Sequence, residues 1–188
     1  YAVTKDMKPE DRKGNDWNRS ISLFRCSYSF VGQVRDTLPE PLAAVAWFGE
    51  DQPITTCYVP IYAGTKKVPE SYNTGDRIKF DPKSTWWAFN FVGNWADLNF
   101  AAMIGDIRAE QKRLEGKFFA EQADFEKKAA ELYKKDPKKA SEMITKHVGD
   151  YMTQLDKDWW ALAWNLVGKY NDGYRITSDT LEPLGYPT

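Results

Sequence analysis

Histidine occurs once and cysteine twice in the 188 residues of this chain, and this scarcity excludes several kinds of active site. One histidine and scattered carboxylates supply no ligand cluster such as HExxH or an acidic calcium loop, so a metal centre is not expected. Two cysteines are too few for a disulfide framework or for a zinc site of the CxxC type. The glycines form neither GxGxxG nor GxxxxGK, so a nucleotide cofactor has no visible binding loop.

The chain also lacks a long apolar run and an excess of charge of either sign. No stretch approaches the roughly 20 apolar residues that a membrane-spanning helix needs. The 26 basic and 27 acidic residues nearly cancel, and a net charge of −1 creates no field that would attract nucleic acid or an anionic membrane surface. We therefore expect a soluble chain without either partner, and the composition does not separate a cytoplasmic location from an exported one.

The sequence allows more than one role for the two cysteines and the single histidine. Cys26 and Cys57 form either one disulfide bridge or, as we favour, two free thiols in strands, because cysteine commonly packs as a small hydrophobic residue. A thiol nucleophile needs a base within hydrogen-bond reach. The only histidine, His147, lies between Ile144 and Val148 on an apolar helical stripe, which favours a satisfied core histidine over a Cys/His dyad.

The first part of the chain reads as loops and strands. Residues 1–18 are polar and without periodicity, which predicts a loop, and residues 19–82 are predicted to hold strands and loops. Ser27 or Ser29 is in position to cap a short helix that ends before Pro39. This helix would present Val31, Val34 and Leu38.

Two β-rich runs predict an antiparallel hairpin. AAVAWF at 43–48 and ITTCYVPIY at 54–62 are separated by a connection of hairpin length. Pro60 has no N–H to donate, so the second strand is expected at a sheet edge or a bulge. Glu50 and Asp51 fall in the connection, where solvated surface carboxylates are the favoured interpretation.

The second part is predicted to be helical after a long loop over residues 64–82. Residues 83–173 predict a helical hairpin, and residues 174–188 predict a tail. The first helix is predicted to be uninterrupted, with one apolar stripe. The second helix is predicted to start at Asp136, which caps it, and Pro137, which lies in its first turn. The apolar stripe of the first helix comprises Trp87, Phe91, Trp95, Leu98, Ile107, Leu114, Phe118, Phe125, Ala129 and Leu132.

Between residues 19 and 113 a series of motifs follows in a fixed order: RSI, QVRDTLPEP, AWFGED, CYVPIYAG, VPESY, STWWAFNFVGN and MIGDIRAEQKRLE. This series resembles the dipeptidase A family of cysteine peptidases. The resemblance is specific, because it depends on the order of several motifs over roughly three fifths of the chain. The later DWWALAWNLVGKYNDGY also fits the family's C-terminal pattern.

The resemblance implies both a fold and an activity. The fold class is α+β, with antiparallel strands followed by a long two-helix hairpin as part of a four-layer αββα N-terminal-nucleophile hydrolase fold. The activity is hydrolysis of short peptides, mainly dipeptides. No metal or organic cofactor is implied. All 188 residues are expected to form a single domain, the C-terminal part of such a peptidase.

The implied chemistry needs a Cys, Ser or Thr at the first mature position, because its own α-amino group, of pKa about 8, acts as the base. Tyr1 cannot do this, and Cys26 and Cys57 are internal. We therefore expect the nucleophile to lie outside this chain and the chain alone to be inactive. Its expected partners are the remainder of the dipeptidase chain and short peptides as substrate, and a homo-oligomer is compatible with these expectations.

Four residues within the matched motifs are substrate-pocket candidates. Gln33 and Arg35 belong to QVRDTLP, and Arg35 is suited to a substrate carboxylate, although a surface or structural arginine is favoured. Trp86 and Asn94 belong to STWWAFNFVGN near the start of the long helix, where aromatic walls and amides are able to face a ligand. Core packing is the favoured role for the tryptophan.

Two other functions compete with a peptidase fragment. One is a noncatalytic protein-interaction module built on the helical hairpin. The other is a carbohydrate-binding or peptide-binding domain that uses aromatic platforms, because flat aromatic faces bury large areas of ligand. The platform residues would be Trp86, Trp87, Trp159 and Trp160.

Overall fold

The computed structural model describes residues 20–184 and has the predicted α+β class, with antiparallel strands followed by long helices. The predicted loop at 1–18 and the last four residues of the predicted tail lie outside the described residues. The elements are β1 (Tyr28–Val34), α1 (Glu40–Ala43), β2 (Ala44–Glu50), β3 (Val59–Tyr62), α2 (Thr85–Asp97), α3 (Phe100–Lys135), α4 (Pro137–Lys169), β4 (Tyr170–Asn171), β5 (Tyr174–Ile176) and β6 (Leu181–Pro183).

The predicted hairpin is confirmed as β2 and β3, which pair antiparallel in a sheet of order β1-β2-β3. β3 is shorter than the predicted β-rich run at 54–62, because the start of that run belongs to a 3-10 turn at Pro53–Thr55. Pro60 lies in β3, which within the described part of the chain is an edge strand, as its missing N–H predicts.

The predicted short helix after Ser27 or Ser29 is wrong. Residues 28–34 form β1, which pairs with β2 over its whole length, from Tyr28 opposite Glu50 to Val34 opposite Ala44. Aromatic and β-branched side chains favour a strand, and the neighbouring β2 supplies the main-chain hydrogen bonds that a short helix would have had to form alone. The helix α1 starts only after Pro39.

The helical part contains three long helices instead of two. The predicted first helix is interrupted at Leu98 and Asn99, where the backbone of Asn99 leaves the helical region at φ −154° and ψ 74°. The predicted start of α4 is confirmed, since the Asp136 side chain accepts a hydrogen bond from the Lys139 N–H and Pro137 follows it. α3 and α4 are antiparallel, as shown by the contacts Phe118–Tyr151 and Phe125–His147.

One apolar stripe of α4 forms the centre of the core. It packs on α2, where Phe89 stacks on Trp159 with ring centroids 4.6 Å apart. The helices cover one face of the sheet, where Trp47 contacts Phe118 and Tyr62 contacts Phe125. The buried residues of the stripe are Ile144, Val148, Met152, Leu155, Trp159, Leu162 and Leu166.

The other face of the sheet is uncovered by described residues along β1. Tyr28, Phe30 and Val34 are 58%, 63% and 84% exposed. Phe30 lies opposite Phe48 in the register, and Tyr28 stacks on Phe48. Side chains alternate between the two faces of a strand, so Tyr28, Phe30 and Val34 share this open apolar face.

After α4 the chain forms a second, small sheet of order β4-β5-β6, so residues 174–184 of the predicted tail are folded. Asp172 and Gly173 make the turn with φ 50° and 78°. Cys26 and Cys57 are free thiols, as favoured from the sequence, but they precede β1 and β3 and do not lie in strands as predicted. Among the helices of residues 20–184, none combines the length and apolar character needed to cross a bilayer.

Truncation of a buried side chain in the α4 stripe should lower the free energy of unfolding of the chain. Leu155→Ala removes a buried side chain, and such truncations cost about 2–5 kcal/mol because a cavity remains. Urea unfolding followed by circular dichroism measures this loss. Exposed Lys157 on the same helix is the matched control, and Lys157→Ala should change the free energy of unfolding by less than about 0.5 kcal/mol.

Candidate functional site

A buried acidic turn follows β2, and it corrects the interpretation of Glu50 and Asp51 as solvated. Glu50 is 8% and Asp51 2% exposed, and Gln52 is also buried. Asp51 has a φ of 60°, a left-handed conformation that is uncommon for a residue other than glycine. Its N–H donates to the Ser27 carbonyl oxygen at 2.9 Å, which joins the turn to the residue before β1.

A line of side-chain hydrogen bonds runs from this turn along α2. Asn90 Nδ2 donates to Asp51 Oδ1 at 3.0 Å. One helical turn further, Asn94 Nδ2 donates to Asn90 Oδ1 at 2.9 Å and to the Asn90 carbonyl oxygen at 2.8 Å. Asp51 is buried and Asn94 is exposed, so the line connects the interior to the surface. We call Asp51, Asn90 and Asn94 the amide relay.

Gly93 allows the turn to approach α2. A Cβ atom at this position would lie 2.5 Å from Gln52 Nε2, 3.0 Å from Asp51 Oδ2 and 3.2 Å from Thr55 Oγ1. These three polar atoms therefore converge on the surface of α2 where a side chain is missing. Thr55 Oγ1 is buried without a hydrogen-bond partner among the described residues.

The acidic turn is electrostatically unusual. Burial, and then the charge of Asp51, raise the pKa of Glu50 to about 7. Burial also raises the pKa of Asp51, while the hydrogen bond from Asn90 partly opposes this effect. No lysine, arginine or histidine within residues 20–184 forms an ion pair with either carboxylate. Ionised carboxylates in such a place favour a cationic or hydrogen-bonding ligand.

Two of the four sequence-predicted site residues are linked to this turn, Trp86 through Ser27 and Asn94 through Asn90. Asn94 ends the amide relay, and Trp86 Nε1 donates to the Ser27 carbonyl oxygen at 3.1 Å, the same atom that Asp51 contacts. Gln33 lies near the other end of β1, where its Oε1 accepts from Trp47 Nε1 at 3.1 Å. A strand advances about 3.3 Å per residue, so the seven residues of β1 hold the two pairs roughly 20 Å apart.

Arg35 is already engaged within the protein. Its guanidinium donates to Glu126 Oε1 at 2.7 Å and to the Leu42 carbonyl oxygen at 2.8 Å. Tyr62 and Gln122 donate to the same Glu126 oxygen at 2.8 and 2.9 Å. The network joins the chain after β1 to β3 and α3, so in this structure Arg35 has a structural contact to a carboxylate of its own chain.

The amide relay borders a small cleft of about 260 Å³. Both asparagines line it, and its walls are aromatic. Ligand sites for drug-sized molecules measure about 300–1,000 Å³, so this cleft suits a small group such as one side chain. The wall residues are Phe80, Trp87, Phe91 and Trp95.

A larger groove of about 1,200 Å³ lies elsewhere, between the 63–70 loop and the first half of α4. None of the four predicted site residues lines it. Its charged side chains are of both signs, and two of them, Lys146 and Asp150, pair with each other. The groove therefore offers no set of polar groups directed to one point, and the amide relay is the better candidate site.

The two thiols and the histidine do not form a catalytic pair. Burial, and then the charge of Glu115, raise the pKa of the Cys57 thiol, which lies beside Tyr151. His147 packs on Phe125 with ring centroids 3.7 Å apart, and burial lowers its pKa. Its Nε2 has no partner within the described residues, so the prediction of a packed histidine is confirmed but that of a satisfied one is not.

The aromatic platform predicted from the sequence is broken up in the structure. Trp159 is fully buried on Phe89 in the core, so it is not available to a ligand. Trp160 instead stacks on Trp164, with ring centroids 5.5 Å apart. Trp87 lines the cleft, and its Nε1 donates to the Asp76 carbonyl oxygen.

Within the described part of the chain, no group of three or more histidine, cysteine, aspartate or glutamate side chains is arranged to hold a metal ion. In a comparison with known protein families, the model of peptidase family C69 matches residues 3–113. The matched region includes the sheet β1-β2-β3, the acidic turn and the cleft. No curated protein matches the chain.

Addition of a methyl group at Gly93 should destabilise the chain. Gly93→Ala places Cβ 2.5 Å from Gln52 Nε2, and the resulting overpacking costs about 1–3 kcal/mol. Gly116→Ala in α3 is the matched control, because no atom lies within 4 Å of its added Cβ. There the better helix propensity of alanine should stabilise by up to about 1 kcal/mol. Thermal unfolding compares the two, and equal shifts would contradict the close approach.

The stability of the chain should fall between about pH 4.5 and 7 because of Glu50. Its pKa rises from an ordinary value of 4.5 to about 7 in the folded chain, so the folded state holds the proton more tightly. This contribution is complete below pH 4.5 and is lost as the pH rises through 7, with a total of about 3 kcal/mol. Urea unfolding across this range should show a smaller decline for Glu50→Gln.

Glu131→Gln is the control for this pH series, since Glu131 is exposed on α3. Glu131→Gln should leave the change of the free energy of unfolding with pH the same as in the unaltered chain. An identical slope for Glu50→Gln and the unaltered chain would show that Glu50 does not hold its proton in the folded state.

Proposed function

Because this chain belongs to peptidase family C69, we propose that it forms the C-terminal portion of a peptidase that hydrolyses dipeptides through a cysteine nucleophile outside this chain. The observation that carries the proposal is the family match, which covers the elements that build the acidic turn and the cleft. In this proposal the chain contributes sheet, helical cover and pocket wall to the complete enzyme.

The thiols of this chain support a nucleophile elsewhere. The reactive form of cysteine is the thiolate, and the raised pKa of Cys57 opposes its formation. Cys26 is half-buried, and its thiol has no hydrogen bond to a base within residues 20–184. An N-terminal nucleophile instead uses its own amine as the base, so it needs no neighbouring histidine.

The open face of the first sheet supports the finer fold assignment. A two-sheet hydrolase buries the inner faces of both sheets against each other, and stacked sheets lie about 10 Å apart. Here the helices cover one face of β1-β2-β3, while Tyr28, Phe30 and Val34 leave the other face apolar and exposed. We propose that a second sheet from the remainder of the dipeptidase chain packs on this face and gives the four-layer αββα arrangement.

The alternative of an interaction module on the helical hairpin has less support. Large exposed apolar side chains are concentrated on and before β1, whereas the hairpin has few, such as Phe119 and Trp164. A partner that recognised apolar surface would therefore contact the sheet in preference to α3 and α4.

The proposal is tested by dipeptide hydrolysis. The 188-residue chain alone should show none, and the peptidase expressed from the complete parent gene should keep its activity when Cys26→Ala or Cys57→Ala is introduced. Release of free amino acids from alanyl-alanine measures both. Cys57 is buried, so circular dichroism must first show that its variant folds.

Two results would contradict this function. Hydrolysis by the isolated chain that disappears in Cys26→Ala would place the nucleophile here. Absence of dipeptide hydrolysis by the complete parent protein would remove the substrate assignment.

A further inference from the structure

The free hydrogen-bonding capacity of Asn94 is limited to one atom. A side-chain amide has two N–H donors and a carbonyl oxygen. Asn94 Nδ2 donates to the Asn90 carbonyl oxygen and to Asn90 Oδ1, so both donors are used. Within the described residues Asn94 Oδ1 accepts no hydrogen bond, and Asn94 is exposed at the cleft. The group that it presents to a ligand is therefore an acceptor.

Asp51 determines this orientation through Asn90. An ionised carboxylate only accepts hydrogen bonds, so Asn90 must direct its Nδ2 toward Asp51 Oδ1. Asn90 Oδ1 then points to Asn94 and accepts from it. If Asn94 were flipped, its Oδ1 would face two other oxygen atoms, which is repulsive. Asp51 and Asn90 thus act as positioning residues for the Asn94 oxygen.

The surroundings of the amide relay are negative. Asp97 follows Asn94 by three residues, which places the two on the same side of α2. The charge of Asp97 acts on Asp51. No described lysine, arginine or histidine forms an ion pair with either of these two carboxylates. A cationic donor is therefore favoured over a neutral one at the Asn94 oxygen.

The aromatic walls add a second requirement. Phe80 and Trp87 meet edge to face with ring centroids 5.4 Å apart, and Phe91 and Trp95 stack at 6.1 Å. The volume of about 260 Å³ between them suits one apolar side chain. A group that carries an ammonium next to an apolar side chain satisfies both the oxygen and the walls.

We propose that the cleft binds the N-terminal residue of a dipeptide, with its α-ammonium donating to Asn94 Oδ1 and its apolar side chain between Phe80, Trp87, Phe91 and Trp95. This inference rests on the proposed peptidase function and adds to it the group of the substrate that the chain recognises. It predicts selectivity for a free amino terminus and for a first residue with an apolar side chain.

Isothermal titration calorimetry on the 188-residue chain at pH 6.5 tests the inference with three ligands. Phenylalanyl-alanine carries both recognised groups, 3-phenylpropanoyl-alanine lacks only the ammonium, and glycyl-alanine lacks the side chain. The first ligand should bind about tenfold more tightly than each of the others, the ratio expected for one hydrogen bond or one buried apolar group.

Variants separate recognition from general stability. Asn94→Ala should reduce the tenfold difference between phenylalanyl-alanine and 3-phenylpropanoyl-alanine because the acceptor oxygen is lost, and Asp51→Asn should reduce it because the amide relay loses its fixed direction. Asn73→Ala is the matched control in an exposed loop and should keep the tenfold difference. Circular dichroism checks that each variant is folded.

Three outcomes would overturn the inference: equal affinity of the unaltered chain for the two phenyl ligands, an unchanged difference in Asn94→Ala, or no binding of any ligand. The comparison of ligands on the unaltered chain needs no variant, so misfolding of a mutant leaves the test intact. The proposed peptidase function is decided separately by hydrolysis with the complete parent protein, so its failure and that of the inference are distinguishable.

Discussion

Packing of other elements on the apolar stripe of α4 is the interaction on which the remaining structure depends. α2 and α3 both lie on it, and the sheet is held through contacts of Trp47 and Tyr62 with α3. The stack of Phe89 on Trp159 fixes α2, and only a fixed α2 can present Gly93 to the acidic turn. The polar site therefore takes its geometry from an apolar interaction one helical turn earlier on the same helix.

The acidic turn costs free energy by itself, and contacts with neighbouring residues stabilise it. Burying a carboxylate costs free energy unless it is hydrogen-bonded, and a left-handed backbone at a residue other than glycine adds strain. Asp51 accepts one hydrogen bond from Asn90 and donates its N–H to Ser27, while Glu50 keeps its proton up to a pH near 7. Groups held in such unfavourable states are common where a protein binds a ligand, and this agreement strengthens the case for the site.

Local signals in the sequence predicted some elements well. The hairpin, the edge position of Pro60 and the start of α4 at Asp136 each follow from the chemistry of a few adjacent residues. β1 could not be distinguished from a helix, because Val31 and Val34 fit a helical spacing and the pairing with β2 is not a local property. The helix break at Asn99 was hidden by apolar residues that keep the same spacing on both sides.

The site was predictable only in part, for the same reason. Motif resemblance selected Trp86 and Asn94, which are both linked to the acidic turn. It could not show that Glu50 and Asp51 are buried, since their burial results from a helix more than thirty residues later in the chain. It also could not show that Arg35 is paired with Glu126, 91 residues away. The glycine of STWWAFNFVGN was the one available signal of a close approach.

The meeting of Asp51 and Trp86 on the carbonyl oxygen of residue 27 has an evolutionary consequence. Every amino acid carries this main-chain oxygen, so the serine hydroxyl has no part in the junction. A change of side chain at this position leaves the main-chain oxygen available to both hydrogen bonds. Relatives of this protein can therefore share the junction without sharing the residue.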